Sequence, residues 1–219
     1  MKNVHDKSYF QRTFAELDKN REKMERKRIN FLKNHVILSE NVKILDMGCG
    51  LGFFLNICDQ LNMQTYGVDA ADYALEMAKK ITKAKLSKVD LSKDRLPFPD
   101  NFFDVVTSFD VIEHVERPEH YLSEMQRVLC QKGLAIIITP DGQSKFDQES
   151  THINLRSSEE WMKELKKNNF EIIECKENHA HIKRMVPLRR FVILNLLNMR
   201  LCDLFGRYVK EVVIIFKKI

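Results

Sequence analysis

Residues 43–52 constrain the fold of this chain more than any other stretch. They contain a short apolar run that includes Asp46, followed by glycines at alternate positions, which are Gly48, Gly50 and Gly52. Apolar residues then recur at helical spacing from Phe53 onward. This order predicts a strand, a glycine-rich turn and the start of a helix. Glycines let a backbone approach a ligand closely, and a helix start offers unpaired N–H groups to it.

The spacing of the glycines distinguishes this turn from the loop that binds nicotinamide dinucleotides. A dinucleotide fingerprint reads G-x-G-x-x-G, and its third glycine lets helix and strand pack closely. Counted from Gly48, this chain reads G-x-G-x-G and has Phe53 where the third glycine would stand. The spacing therefore argues against a nicotinamide-dependent oxidoreductase.

Segments with strand and helix character alternate along the chain after residue 41. Strands are predicted at 42–47, 64–68, 86–89, 104–109, 134–139, 170–175 and 209–216. Helices are predicted at 73–82, with Asp72 as the N-cap, at 118–129, and after a capping box formed by Ser157 and Glu160. This alternation predicts an α/β fold in which helices cover both faces of a mostly parallel sheet. No linker interrupts the sequence, so residues 1–219 are predicted to form a single domain.

Four further motifs follow the glycine-rich turn. They are Tyr66-Gly67-Val68-Asp69, the aromatic stretch 96–104, Asp110-Val111-Ile112-Glu113-His114-Val115, and Arg127-Val128-Leu129 followed by Lys132-Gly133. With the turn, they make residues 40–180 resemble the class I S-adenosylmethionine-dependent methyltransferases, in particular the small-molecule group that includes the ubiquinone-biosynthesis enzymes. The resemblance implies a seven-stranded Rossmann-like sheet in the order 3-2-1-4-5-7-6, with strand 7 antiparallel. It also implies S-adenosyl-L-methionine as cofactor and S-adenosyl-L-homocysteine as product.

The resemblance implies cofactor-binding residues in the glycine-rich turn and at the ends of strands 2, 3 and 4. They are Asp46, Gly48, Cys49, Gly50, Gly52, Asp69, Ala70, Asp90, Leu91, Phe109 and Asp110. Asp69 ends the second strand, where a carboxylate can accept hydrogen bonds from both ribose hydroxyls; it could also cap the following helix. Asp90 is expected near the adenine amine, or in a solvated turn. Asp46 is expected to order the turn and to face the ammonium of the methionine tail, or to have a purely structural role.

Histidines after the fourth and fifth strands are the candidates for acceptor chemistry. His114 lies at the carboxyl edge of the predicted sheet, where such folds bind substrates, and histidine titrates near neutral pH. We therefore predict His114, with its neighbour Glu113, as the catalytic pair, although these two could also cap or pack a helix. His152 and Tyr9 are predicted to contact the acceptor together with His114. His179 and His181 stand two residues apart after the sixth predicted strand, but no third ligand accompanies them at a spacing typical of a metal site. No metal site is therefore predicted.

The composition limits the kinds of binding partner and the cellular compartment that are expected. The formal charge of +5 does not require a nucleic-acid partner, and the motifs of amino-methylating and cytosine-methylating DNA enzymes are missing after strand 4. The five cysteines are scattered without a C-x-x-C pair, which argues for a reducing compartment. With no signal-peptide pattern and no apolar stretch of ~18 residues, a cytoplasmic protein is expected.

Two segments outside the core are predicted to determine the acceptor. Residues 1–40 are predicted to form a helical lid over the core at 41–180, and residues 183–207 an apolar helical insertion before the last strand. Arginines edge the apolar helix at 187–205. It could be part of the lid, a homodimer interface or a peripheral membrane contact near a lipid-like acceptor.

The sequence thus predicts a methyltransferase that moves a methyl group by in-line displacement to a small or lipid-linked acceptor, at oxygen. RNA or protein methylation is the alternative reaction. A module that binds S-adenosylmethionine without catalysis is the alternative of a different kind.

Overall fold

The computed structural model describes residues 18–142, 151–181 and 208–219. Strands in these ranges are β1 (Lys43–Met47), β2 (Gln64–Asp69), β3 (Lys85–Lys88), β4 (Phe103–Phe109), β5 (Leu129–Pro140), β6 (Phe170–His181) and β7 (Tyr208–Lys218). Helices are α1 (Asp18–Lys33), α2 (Phe53–Gln60), α3 (Asp72–Ala78), α4 (Pro118–Val128) and α5 (Ser158–Lys167), with a 3₁₀ turn at Ile112–His114.

The strands form one sheet in the order β3-β2-β1-β4-β5-β7-β6. The pairs from β3 to β5 are parallel, and β7 lies antiparallel between β5 and β6. Both the predicted order and the antiparallel seventh strand are confirmed. The carboxyl ends of β1, β2 and β4 therefore meet at one edge of the sheet, where ligands bind in open α/β folds.

Helices cover both faces of the sheet, as predicted. On one face α1 and α2 contribute Ile29, Leu32 and Phe54 to a core with alternate residues of β1, β4, β5 and β7. On the other face α4 and α5 contribute Tyr121 and Trp161 to a larger core. The strands between the two cores are buried on both sides, which explains their nearly continuous apolar sequences.

Some element boundaries differ from the sequence-based prediction. β5 begins at Leu129, ahead of the strand predicted at 134–139, and it includes Lys132 at a φ of 62°. Asp72 is the first residue of α3 and does not cap it; its carboxylate pairs instead with the Lys88 ammonium at 2.6 Å. The capping box that opens α5 is confirmed, with both reciprocal hydrogen bonds between Ser157 and Glu160.

Several predictions fall outside the described residues. These are Tyr9, the start of the predicted lid, the insertion at 183–207 and the apolar helix at 187–205. Of the predicted lid at 1–40, the structure describes residues 18–40, which include α1. In the described ranges, none of the helices has both the length and the hydropathy that a membrane crossing requires.

Candidate active site

The glycine-rich loop (residues 47–52) turns sharply between β1 and α2. Its three glycines all have positive φ, and the surroundings of Gly48 and Gly50 differ sharply. A Cβ on Gly48 would lie 2.3 Å from a methyl group of Val111, so the loop packs directly against the segment after β4. A Cβ on Gly50 would meet nothing within 4 Å, so the backbone at Gly50 faces open space. That open space above the backbone is where a ligand can approach the loop.

Asp69 holds the loop in place from the end of β2. Its Oδ2 accepts a hydrogen bond from the N–H of Gly50 at 2.9 Å, and its Oδ1 accepts one from the N–H of Ala71, also at 2.9 Å. The carboxylate is therefore directly beside the open face of Gly50. Any ribose hydroxyl bound to Asp69 would share it with these backbone donors. Ala70, between the two, is exposed.

Asp46 lies beneath the loop and is almost completely buried. Thr107 on β4 donates a hydrogen bond from its Oγ1 to Asp46 Oδ1 at 2.8 Å. Burial raises the pKa of Asp46 to about 7, although the Thr107 hydrogen bond and the Arg28 guanidinium favour its ionised form. Cys49 is also buried, and burial raises the pKa of its thiol well above the ordinary range, so the thiol stays protonated.

Arg28 of α1 reaches the same edge of the sheet, which the sequence alone did not predict. Its guanidinium donates to Asp110 Oδ2 at 2.9 Å and to both carboxylate oxygens of Glu25 at 3.2 Å, and it lies 4.3 Å from the centre of the Phe109 ring. Burial opposes ionisation of Arg28, but the carboxylates of Glu25 and Asp110 outweigh it and raise its pKa. Phe109 and Asp110, two predicted cofactor residues, are thus tied to α1.

Glu211 brings a further carboxyl group to the α1 side of this edge. It pairs with Pro140 at the end of β5, and the alternation of β7 gives it the same side as Val213, which packs beneath α1. Burial raises the pKa of Glu211 to about 7; Asp110 adds to this rise, whereas Arg28 opposes it.

Asp90 and Leu91 lie in the turn after β3. Asp90 Oδ1 accepts a hydrogen bond from the N–H of Ser92 at 3.0 Å, and its carboxylate pairs with the Lys93 ammonium at 3.0 Å. Leu91 is partly buried against the larger core. This polar, half-exposed turn fits either of the two roles that the sequence left open for Asp90.

The histidine cluster consists of Glu113, His114 and His152. The 3₁₀ turn after β4 carries the first two, and His152 comes from the segment after β5. The two imidazole rings are 4.7 Å apart between centres, and Glu113 is fully buried. One ligand atom from each of the three residues lies within 4.8 Å of the others, so the cluster could hold a metal ion. The sequence placed these three residues on the acceptor side but did not predict a metal site there.

The strand order and the ligand-binding edge are those of the Rossmann-like fold of class I methyltransferases, which use S-adenosyl-L-methionine. A family model described as "Methyltransferase domain" matches residues 45–137, which run from β1 into β5. The open space at Gly50, with the Asp69 carboxylate beside it, fits that cofactor. Among solved structures, a SAM-dependent methyltransferase from Archaeoglobus fulgidus superposes with a TM-score of 0.65, covering 90% of this chain and 94% of that one at 20% identity. This likeness establishes the fold.

Curated relatives match the central part of this chain. A ubiquinone biosynthesis O-methyltransferase of Pelagibacter ubique is 27% identical over 124 residues, 51% of this chain and 52% of that protein. Ajmaline N-methyltransferase of Rauvolfia serpentina is 29% identical over 102 residues, 44% of this chain and 35% of that protein. The chain thus spans about half the length of these relatives, or less.

Proposed function

We propose that this protein transfers the methyl group of S-adenosylmethionine to an oxygen atom of a small or lipid-linked acceptor. The observation that carries the proposal is the contact between the glycine-rich loop and the segment after β4. Val111 packs on Gly48, and the 3₁₀ turn that carries His114 begins at the next residue. A cofactor on the loop and an acceptor at the histidine cluster would therefore lie side by side.

In this proposal the chain binds and orients its ligands and excludes water. Bound S-adenosylmethionine supplies a sulfonium methyl group, which needs alignment with the acceptor but no covalent enzyme intermediate. Asp69 would accept hydrogen bonds from the ribose, and the backbone at Gly50 would face the methionine tail. Phe109 and Asp110, fixed by Arg28, would border the same space.

His114 is the proposed general base for a hydroxyl acceptor. Its ring is half-buried at the carboxyl edge of the sheet, beside His152. An oxygen acceptor must lose a proton on methylation, and a positioned imidazole can take it. The names of the relatives support a small-molecule acceptor, and they include both O- and N-methyltransferases. A peripheral membrane contact or a homodimer through 187–205 remains a prediction.

A label-transfer assay tests the reaction. The purified chain is incubated with methyl-labelled S-adenosylmethionine and with lipid, small-molecule, RNA and protein fractions of a cell extract. We expect label in the lipid or small-molecule fraction, on oxygen. Label in RNA or protein would contradict the proposed acceptor, and cofactor binding without transfer to any fraction would favour a non-catalytic module.

Three variants assign roles within that assay. Asp69→Ala should weaken cofactor binding about 10- to 100-fold in calorimetry, because a hydrogen bond to a charged acceptor contributes ~1.5–3 kcal/mol. Asp72→Ala is the matched control, since this nearby carboxylate is exposed and pairs only with Lys88 among the contacts described. His114→Gln should bind the cofactor normally and lose transfer to oxygen. If a chelator abolishes transfer and added Mg²⁺ or Zn²⁺ restores it, the cluster holds a metal and His114 is not the base.

A further inference from the structure

The segment at 151–154 is hydrogen-bonded to the 3₁₀ turn along its length. The carbonyl oxygen of Glu113 accepts hydrogen bonds from two successive N–H groups, those of Ile153 and Asn154, both at 2.9 Å. The Asn154 side-chain amide donates to the Val115 carbonyl. At the other end of the segment, His114 Nδ1 lies 3.1 Å from the Thr151 carbonyl oxygen. The two histidines of the cluster therefore lie on segments that cannot move independently.

A buried hydroxyl group links this assembly to the sheet. Thr139, near the end of β5, donates a hydrogen bond from its Oγ1 to Glu113 Oε2 at 3.0 Å. Both residues are fully buried, so water does not compete for this bond. Thr139 touches none of the predicted ligand-binding residues except Glu113 in the described contacts. Its contribution would therefore reach the acceptor only through Glu113.

The Thr151 carbonyl also determines how the His114 ring is held. A carbonyl oxygen only accepts hydrogen bonds, so the Nδ1 atom that faces it must carry a hydrogen. In the neutral ring the lone pair is then on Nε2, the other nitrogen. If the segment moved away, the ring would lose the constraint that the Thr151 carbonyl places on its orientation and tautomer.

We infer that Thr139 is a positioning residue for the acceptor side of the site: through Glu113 it holds the 3₁₀ turn and the segment at 151–154 in one arrangement. This inference deepens the proposed function and rests on it for its catalytic meaning. The arrangement itself can be measured without any acceptor.

Amide hydrogen exchange of the full chain in D₂O tests the arrangement. Thr139→Val keeps the side-chain shape and removes the hydroxyl. It should speed exchange at Ile153 and Asn154 about 10- to 100-fold, because it leaves a buried oxygen of Glu113 without its hydrogen-bond donor. Thr139→Ser keeps the hydroxyl and should restore slow exchange. Thr107→Val is the matched control, because Thr107 is an equally buried threonine that donates to a carboxylate, Asp46, on the neighbouring strand.

Each outcome decides the inference. Faster exchange at 153 and 154 in Thr139→Val alone, with rescue by serine, supports it. The inference would be overturned by unchanged exchange at these two amides, or by failure of Thr139→Ser to restore slow exchange. It would also be overturned if Thr139→Val sped exchange across all strands to the same extent as Thr107→Val.

Label transfer then tests the catalytic meaning. Once the assay has identified a fraction that accepts the labelled methyl group, Thr139→Val should lower turnover on it at least tenfold and leave the KM for S-adenosylmethionine unchanged. A turnover equal to that of the unmodified chain would overturn the positioning role even if exchange changed. If no fraction accepts label from the unmodified chain, the proposed function fails and the exchange result still stands.

Discussion

The glycine-rich loop and the histidine cluster occupy the same edge of the sheet but are built in different ways. The loop presents main-chain atoms, and it is held by Asp69 at the end of β2 and by Val111 after β4. The histidine cluster presents side chains from two segments, and its support comes from Thr139 on β5. A main-chain site tolerates few substitutions but needs few partners. A side-chain site can change its ligand by changing one segment.

The largest effect that distinguishes the two regions is expected from Gly48→Ala. An alanine here must adopt a φ of 84° and place its Cβ 2.3 Å from a Val111 methyl group. Left-handed strain and overpacking together should lower the free energy of unfolding by about 2–5 kcal/mol. Urea denaturation measures this decrease in the free energy of unfolding, and the double variant Gly48→Ala, Val111→Ala should recover part of it. Equal stability of Gly48→Ala and the unmodified chain would show that the loop is not packed as described.

A second prediction concerns Asp46, beneath the loop, and depends on pH. Its pKa is about 7 in the folded protein and near 4 when unfolded, so between these values the folded state holds a proton that the unfolded state has released. Stability should therefore fall as pH rises from 4 to 7 and level off above 7. Asp46→Asn should lack this contribution. The free energy of unfolding of the variant, relative to that of the unmodified chain, should therefore be about 2–4 kcal/mol higher at pH 8 than at pH 4. Parallel stability curves for the two proteins would contradict the burial of a titrating carboxyl group.

The smallest effect on stability is expected from Gly50→Ala, which sharpens the contrast with Gly48. Its φ of 51° costs an alanine about 1 kcal/mol, and its Cβ meets no protein atom. The methyl group would instead occupy the space proposed for the cofactor, so S-adenosylmethionine affinity should fall at least tenfold. Calorimetry on the folded variant measures this. Unchanged affinity would place the cofactor elsewhere on the edge.

The loop and the capping box of α5 could be predicted because each depends on local spacing, and the strand order followed from the resemblance of the motifs to those of a known family. Arg28 could not, because it stands beside Arg26 and Lys27 in a charged helix and nothing local distinguishes it. Its spacing from Glu25, Ile29 and Leu32 does place all four on one helix face, and that signal was available. The link from Thr139 to Glu113 joins residues 26 positions apart, and only the folded sheet brings them together.

The single tryptophan of the chain has an optical consequence. Trp161 is 1% exposed in α5, and the guanidinium of Arg156, which follows the segment at 151–154, lies 4.8 Å from the centre of its ring. Tryptophan fluorescence of the unmodified chain therefore comes from the side of the molecule that holds the histidine cluster. Loss of structure there would change the emission of Trp161 directly, whereas fraying of the glycine-rich loop alone would not change it.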